Sequence, residues 1–299
     1  MPSSVSGPAA GLRPGRRDVL KGVAALGALG ALGLSGCGDP RQRLSVSGAS
    51  TIAPPTETIA NLFNAQRSDF RCDVSSGGTG YGLRSLRGGS SDVAMLARKL
   101  SQAERDGLEV RVAAYDGIAI IAHPDTPLPD VMSVEDCRDL ASGKTRPSGV
   151  VVVQKPEGQG TRQAFASGLG LVPAQLHGDA AAGRTGQMVL NVSRTAGAVG
   201  YVSHVDALAA LDAGIGLRII RLNGVPPSLE TVASGAYPII RPLAYAYYAG
   251  PAHTAGSPGD SGVNGLRRSL APQVFVDFAT GPEGRKVFAE HGFAPARES

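Results

Sequence analysis

From Leu44 onward, short runs of β-branched and apolar residues alternate with longer segments in which apolar positions recur every three or four residues. A two-residue period alternating with a 3.6-residue period is the pattern of an α/β fold, with helices connecting largely parallel strands. Strands are expected over 44–47, 71–75, 92–96, 117–122, 150–153, 198–202, 217–221 and 242–247, with helices between them. Pro54 falls where the first helix would begin, a position at which a missing N–H costs nothing. Ser133-Val134-Glu135-Asp136 reads as a capped helix start that Gly143 stops. Two last helices are expected over 259–280 and 282–291, ended by Gly292.

A chain of 299 residues has room for two modest domains. Its 42% hydrophobic and 18% charged residues exclude a disordered polymer. The formal charge of +4 invites a nucleic-acid reading, but Arg13, Arg16, Arg17 and Lys21 all precede Gly22, opposed only by Asp18. The rest of the chain carries 25 basic and 24 acidic residues, which removes the electrostatic case for a nucleic-acid partner.

Residues 22–34 form an uncharged run of 13, followed by Leu34-Ser35-Gly36-Cys37. The run is too short for a bilayer, which takes about 20 apolar residues, and suits the core of a signal peptide. Arg16-Arg17-Asp18-Val19-Leu20-Lys21 resembles the twin-arginine export signal, and Leu34-Ser35-Gly36-Cys37 resembles a bacterial lipobox. These resemblances imply a removable signal over 1–36, acylation at Cys37, a tether over 37–43, and a mature protein that is extracytoplasmic and lipid-anchored to a bacterial membrane. No metal or other cofactor is expected, because His123, His177, His204, His253 and His291 show no ligand spacing and the three cysteines are scattered.

Four clusters of small residues adjoin expected strands: 47–52, 75–82, Ser90-Ser91-Asp92, and 155–161. Glycines let the backbone turn tightly, and the free N–H groups of a following helix, with a threonine hydroxyl, make a cradle for an anion. In open α/β sheets ligands lie beyond the carboxyl ends of the strands, where several of these loops would fall. Enzyme motifs fail by comparison. Gly143-Lys144-Thr145 has Arg138 where a P-loop needs glycine, Gly158-Gln159-Gly160 continues to Gln163, and no Gly-x-Ser-x-Gly elbow occurs.

Gly48-Ala49-Ser50-Thr51, Gly78-Thr79-Gly80-Tyr81-Gly82-Leu83, and Ser91-Asp92-Val93-Ala94 with Ala97-Arg98-Lys99-Leu100 resemble ligand loops of the phosphate-binding proteins of bacterial Pst-type ABC transporters. Segments 116–121, 197–202, 237–242 and 292–295 are similar to framework motifs of that family, so the likeness covers nearly the whole chain after residue 43. One loop departs: Lys155 stands where the family has an arginine, and Gln159-Gly160-Thr161 where it has Ser-Gly-Thr. The resemblance implies a two-lobed periplasmic-binding-protein (Venus-flytrap) fold with two hinge crossings. Lobe 1 would comprise 44–115 with 241–299, and lobe 2 would comprise 116–240. The ligand site would be built from Ser50, Thr51, Ile52, Thr79, Asp92, Lys155, Gln159, Gly160 and Thr161.

Asp92 would accept the proton of a protonated oxyanion, which sulfate lacks, its simpler role being to cap the turn before a strand. On this division Cys72 and Cys137 fall in different lobes and are expected as separate buried thiols. The function implied is capture of inorganic phosphate or a related oxyanion by a non-enzymatic monomer that serves an ABC permease. The alternative from another class is a sensor or interaction module of the same fold that is not dedicated to transport.

Overall fold

The computed structural model describes residues 41–249 and 263–296, with side chains of the last segment from Leu270 onward. The chain divides into units Met1–Pro40 and Arg41–Ser299, and the description concerns the second. The expected signal, the acylation position Cys37, most of the tether and the start of the helix expected from 259 lie outside the described residues.

Strands β1 (Gln42–Gly48), β2 (Phe70–Ser76) and β3 (Val93–Leu96) are parallel, with β1 between the other two. Each of the first two strands runs through a short loop into a helix: β1 into α1 (Ala53–Gln66) and β2 into α2 (Thr79–Arg87). A second set surrounds β6 (Val151–Gln154), which leads into α5 (Gly160–Gly168) and lies parallel to β7 (Ala180–Ala181) and β8 (Ala198–Ser203). Between these sets come α3 (Gln102–Arg105), β4 (Leu108–Ala122), β5 (Val131–Met132) and α4 (Val134–Ala141). After them follow α6 (Thr185–Arg194), α7 (His204–Asp212), β9 (Arg218–Leu222), α8 (Leu229–Ala233), β10 (Ile240–Tyr248), α9 (Val263–Thr280), α10 (Pro282–Glu290) and β11 (Ala294–Pro295).

Two strands cross between the lobes. The 15-residue β4 pairs antiparallel with β10 through its first two thirds and with β8 and β9 through its last third. Its residues accordingly serve two cores. Ala113 and Ala114 pack with Leu44, Ile59, Phe63 and Phe275, whereas Ile118 and Ile120 pack with Val152, Phe165 and Tyr201. Strand β10 makes the same passage, with Ile240 against the second core and Leu243 and Tyr245 in the first. Apolar burial on both sides of a narrow two-stranded neck yields two lobes, each with its own hydrophobic driving force. The short β11 returns to this neck and pairs with β4 at Ala114 and Tyr115.

Seven of the eight expected strands occur within about two residues of their expected limits. The expectation of a largely parallel sheet is corrected: β4 and β10, the central pair, run antiparallel to each other and to β8 and β3 respectively. The expected strand over 117–122 is only the end of β4, which begins at Leu108. Its earlier half alternates exposed charged side chains such as Glu109 with apolar ones, so it lacks the continuous apolar run of a buried strand. Ser133 caps α4 reciprocally with Asp136, and Gly143 follows its end with φ 74°. Cys72 and Cys137 are buried, unpaired and in separate cores.

Candidate functional site

Helices α1, α2 and α5 point their N-termini into the space between the lobes. At α1, Pro54 and Pro55 occupy the first turn and donate nothing, leaving the amides of Ile52 and Ala53 free of any protein acceptor among the described residues. The first amides of α2 (Thr79, Gly80, Tyr81) and of α5 (Gly160, Thr161, Arg162) are likewise unused. Unsatisfied N–H groups and the positive ends of helix dipoles together favour a negative charge.

The loops are locked to one another. The amides of Gly77 and Gly78 both donate to the carbonyl of Gly48 at 2.8 Å, which ties the α2 loop to the α1 loop. Across the cleft, a methyl group added to Gly160 would sit 2.5 Å from Thr79 Oγ1, and one added to Gly78 would sit 3.5 Å from Gln159 Oε1. Gly160 therefore admits a closeness between lobes that no residue with a side chain would permit.

Arg241 on β10 is the junction. It is 1% exposed and pairs in register with Asp116 of β4 at the crossing between lobes. Its Nε and Nη2 lie 2.8 and 2.6 Å from Asp116 Oδ2, while Nη1 donates to Thr161 Oγ1 at 2.7 Å and Nη2 to Thr51 Oγ1 at 3.1 Å. One guanidinium thus holds a hydroxyl from each lobe. Because each hydroxyl accepts from arginine, its own proton points elsewhere and is free to donate. Thr79 is set the same way, since its Oγ1 accepts from the amide of Ala97 at 3.1 Å.

The charges around this junction are mutually perturbed. Burial would raise the Asp116 carboxyl, but Arg241 and the hydrogen bonds with His204 and Ser203 outweigh it and hold it below the usual carboxylate range. Its Oδ1 takes Ser203 Oγ at 2.7 Å and faces His204 Nδ1 at 2.7 Å. Lys155 is 3% exposed; burial, then the neighbouring Arg241, pushes its ammonium down to about 8. Asp206, in the first turn of α7, is pushed up to about 6 by burial and by Asp116.

The structure gathers Thr51, Ile52, Thr79, Lys155, Gln159, Gly160 and Thr161 around the gap, with Ser50 exposed at the tip of the first loop. Asp92 does not join them, and its assignment to the ligand site is corrected. It precedes β3, opposite the end at which the loops gather, and its Oδ2 accepts from the amide and hydroxyl of Ser45 at 2.7 and 2.8 Å. A residue that opens a parallel strand lies at the wrong end of the sheet for a site built beyond strand C-termini. Its role is the simpler one, a cap on the turn before the strand. Arg98 is also spent locally, in a two-pronged pair with Glu104 at 2.8 and 2.7 Å. A recess of about 470 Å³ lined by that pair, Gln163 and Arg241 includes none of the three threonines.

Arg241 and Asp116 were missed as site residues. A signal for them exists: Arg241 is the one charge of β10 and Asp116 the one charge in the apolar stretch 112–122 of β4, and buried charges need partners.

A family model described as a PBP superfamily domain matches residues 35–283. The chain belongs to the PBP superfamily. Its membership accounts for the two lobes and the site between them. Within the superfamily it is 24% identical over 215 residues to the phosphate-binding protein PstS of Bacillus subtilis, covering 66% of this chain and 67% of that protein. A Clostridium perfringens ABC transporter substrate-binding protein solved with bound phosphate matches with TM-score 0.68 and 23% identity, covering 86% of this chain and all of the other. An ABC-type phosphate transport receptor from Vibrio cholerae matches with TM-score 0.65 and 21% identity, covering 84% of this chain and 99% of its own. These likenesses establish the two-lobed periplasmic-binding-protein fold.

Proposed function

We propose that this protein captures phosphate, or a related oxyanion that keeps a proton, outside the cytoplasm and presents it to an ABC permease. The observation that carries this reading is the convergence of three helix N-termini with three threonine hydroxyls, all set to donate, beside two buried cations. Such a donor-rich gap suits a compact, multiply charged anion, and a cleft that needs both lobes to complete the donor set closes on its ligand. The relatives named for phosphate binding support the choice of anion.

Binding rather than catalysis fits the same geometry, because the hydroxyls are oriented to hold charge and none is paired with a base. The lobe limits are proposed as 44–115 with 241–299 and 116–240, with Ser50 and Ile52 supplying main-chain donors at the first loop. Cys37 is proposed as the acylated N-terminus left after removal of 1–36, so that the monomer works tethered to a bacterial membrane. Replacing Cys37 by Ala should release the protein from the membrane fraction and abolish incorporation of labelled palmitate. Calorimetry with phosphate, arsenate, sulfate and molybdate tests the binding reading. Heat with the first two is expected, and no heat with any of the four would sink it.

A further inference from the structure

The recess of about 470 Å³ beside Arg241 takes its walls from both lobes. Arg98, Lys99 and Glu104, between β3 and β4, form one wall; Gln163 and Ser167 of α5 belong to another, and β10 closes the recess at the crossing between lobes. A cavity of this size holds a small organic molecule. Two polar atoms of its lining residues are buried without a hydrogen-bond partner, Arg98 Nε from the first lobe and Gln163 Oε1 from the second. The Arg98 side chain is 10% exposed, and its other nitrogens are occupied by Glu104 at 2.7 and 2.8 Å and by the Lys99 carbonyl at 3.0 Å. Buried polar groups are almost always paired, so a donor and an acceptor left over on two walls of one cavity call for a common explanation. Both have already lost their water, and a guest that pairs with them displaces none. A molecule that accepts from Arg98 and donates to Gln163 would satisfy both.

The charge of the walls narrows the choice of guest. Arg98 is neutralised by Glu104, whose carboxyl its hydrogen bonds hold down to about 2, and Arg241 is neutralised by Asp116. Lys99 is exposed, and its ammonium has no ion-pair or hydrogen-bond partner among the described residues, which leaves one uncompensated positive charge. Leu171, Val172 and Ile240 add apolar surface, Val172 being 58% exposed. A monoanion with an apolar body and one hydrogen-bond donor matches all of these groups. We propose that this recess is an effector site for a small organic carboxylate carrying a hydroxyl or amine donor, distinct from the anion gap and coupled to it through Arg241. A molecule held by both walls fixes the lobe spacing at which Arg241 joins Thr51 to Thr161, and so favours the arrangement the anion needs. The coupling, though not the recess, rests on the anion-binding reading above.

The test is calorimetry with 4-hydroxybenzoate, a carboxylate with an apolar ring and one hydroxyl donor, on the wild-type protein without and with saturating inorganic phosphate. The probe should bind with one-to-one stoichiometry and about tenfold more tightly when phosphate is present, and by linkage it should tighten phosphate by the same factor. Ser167→Trp sets a bulky ring in the recess from an exposed helical position, and should abolish probe binding while phosphate alone binds as in wild type. Benzoate, which lacks the hydroxyl, should bind wild type about tenfold more weakly than the probe, and Gln163→Leu should remove that difference.

Absence of probe binding at millimolar concentration, or binding that survives Ser167→Trp, overturns the site. A hydroxyl preference that persists in Gln163→Leu overturns the assigned donor contact. Displacement of the probe by phosphate, or an affinity indifferent to it, overturns the coupling. If phosphate itself gives no heat, the anion-binding reading fails, and Ser167→Trp still decides the recess.

Discussion

At the scale of single residues, Arg241 shows how one side chain can carry structural and ligand-directed work together. Its charge is neutralised by Asp116, and its remaining N–H groups fix the direction in which Thr51 and Thr161 offer their protons. Replacing Thr161 by Val keeps the shape and removes one oriented donor. Affinity for phosphate should fall about tenfold in calorimetry, and the melting temperature should fall as well, because the buried Nη1 of Arg241 loses its acceptor. Asp116→Asn acts differently. It leaves a fully buried guanidinium without its counter-charge, which costs on the order of 3–5 kcal/mol.

The pH dependence of that loss has a definite sign. The folded carboxyl of Asp116 sits below its ordinary value, so it binds protons less readily in the folded than in the unfolded state. Its stabilisation is present above about pH 4 and is lost as pH falls through the folded value. Melting curves should separate wild type from Asp116→Asn widely at neutral pH and converge in acid. Curves that stay parallel down the acid limb would rule the ion pair out as the source.

At the scale of elements, two glycines make the strand-loop-helix units pack, with different consequences. A methyl group on Gly82 of α2 would lie 2.6 Å from the carbonyl oxygen of Ser47 and 2.7 Å from Gly48 Cα, both backbone atoms within one lobe. One on Gly160 would meet Thr79 Oγ1 across the cleft. Gly82→Ala should therefore lower folding stability by about 1–3 kcal/mol. Gly160→Ala should leave the melting temperature of the free protein nearly intact and weaken ligand binding more than tenfold, because only closure is obstructed. Equal losses of stability in both variants would show that the α5 loop belongs to the folding core and is no moving contact.

The loops themselves were readable in the sequence, because a strand ending in Gly, Ser and Thr before a helix has few other physical uses. Strand direction was not readable, since nothing local in 108–122 or 240–248 says which neighbour it will pair with or which way. Pro242 illustrates this. The strand expected from Pro242 begins two residues earlier, at Ile240, so the proline lies inside β10, beside a register shift between Leu243 and Ala244.

At the scale of the whole molecule, the neck decides how much work the ligand must do. A ligand shifts an open-closed equilibrium only by its differential affinity for the two states. Here the Thr51–Arg241–Thr161 bonds already join the lobes through the neck, so part of the closed arrangement is stabilised by the chain alone. Arg241→Lys keeps the charge beside Asp116 but loses the planar fork, and one ammonium cannot span both hydroxyls with the same geometry. The free variant should be more open than the free wild type in small-angle X-ray scattering, and phosphate should compact it by more. It should also need more phosphate to reach the same closed dimensions, because its binding-competent state is less populated. Identical radii for the two free proteins would place the closing energy in the ligand contacts and leave Arg241 as a counter-charge alone.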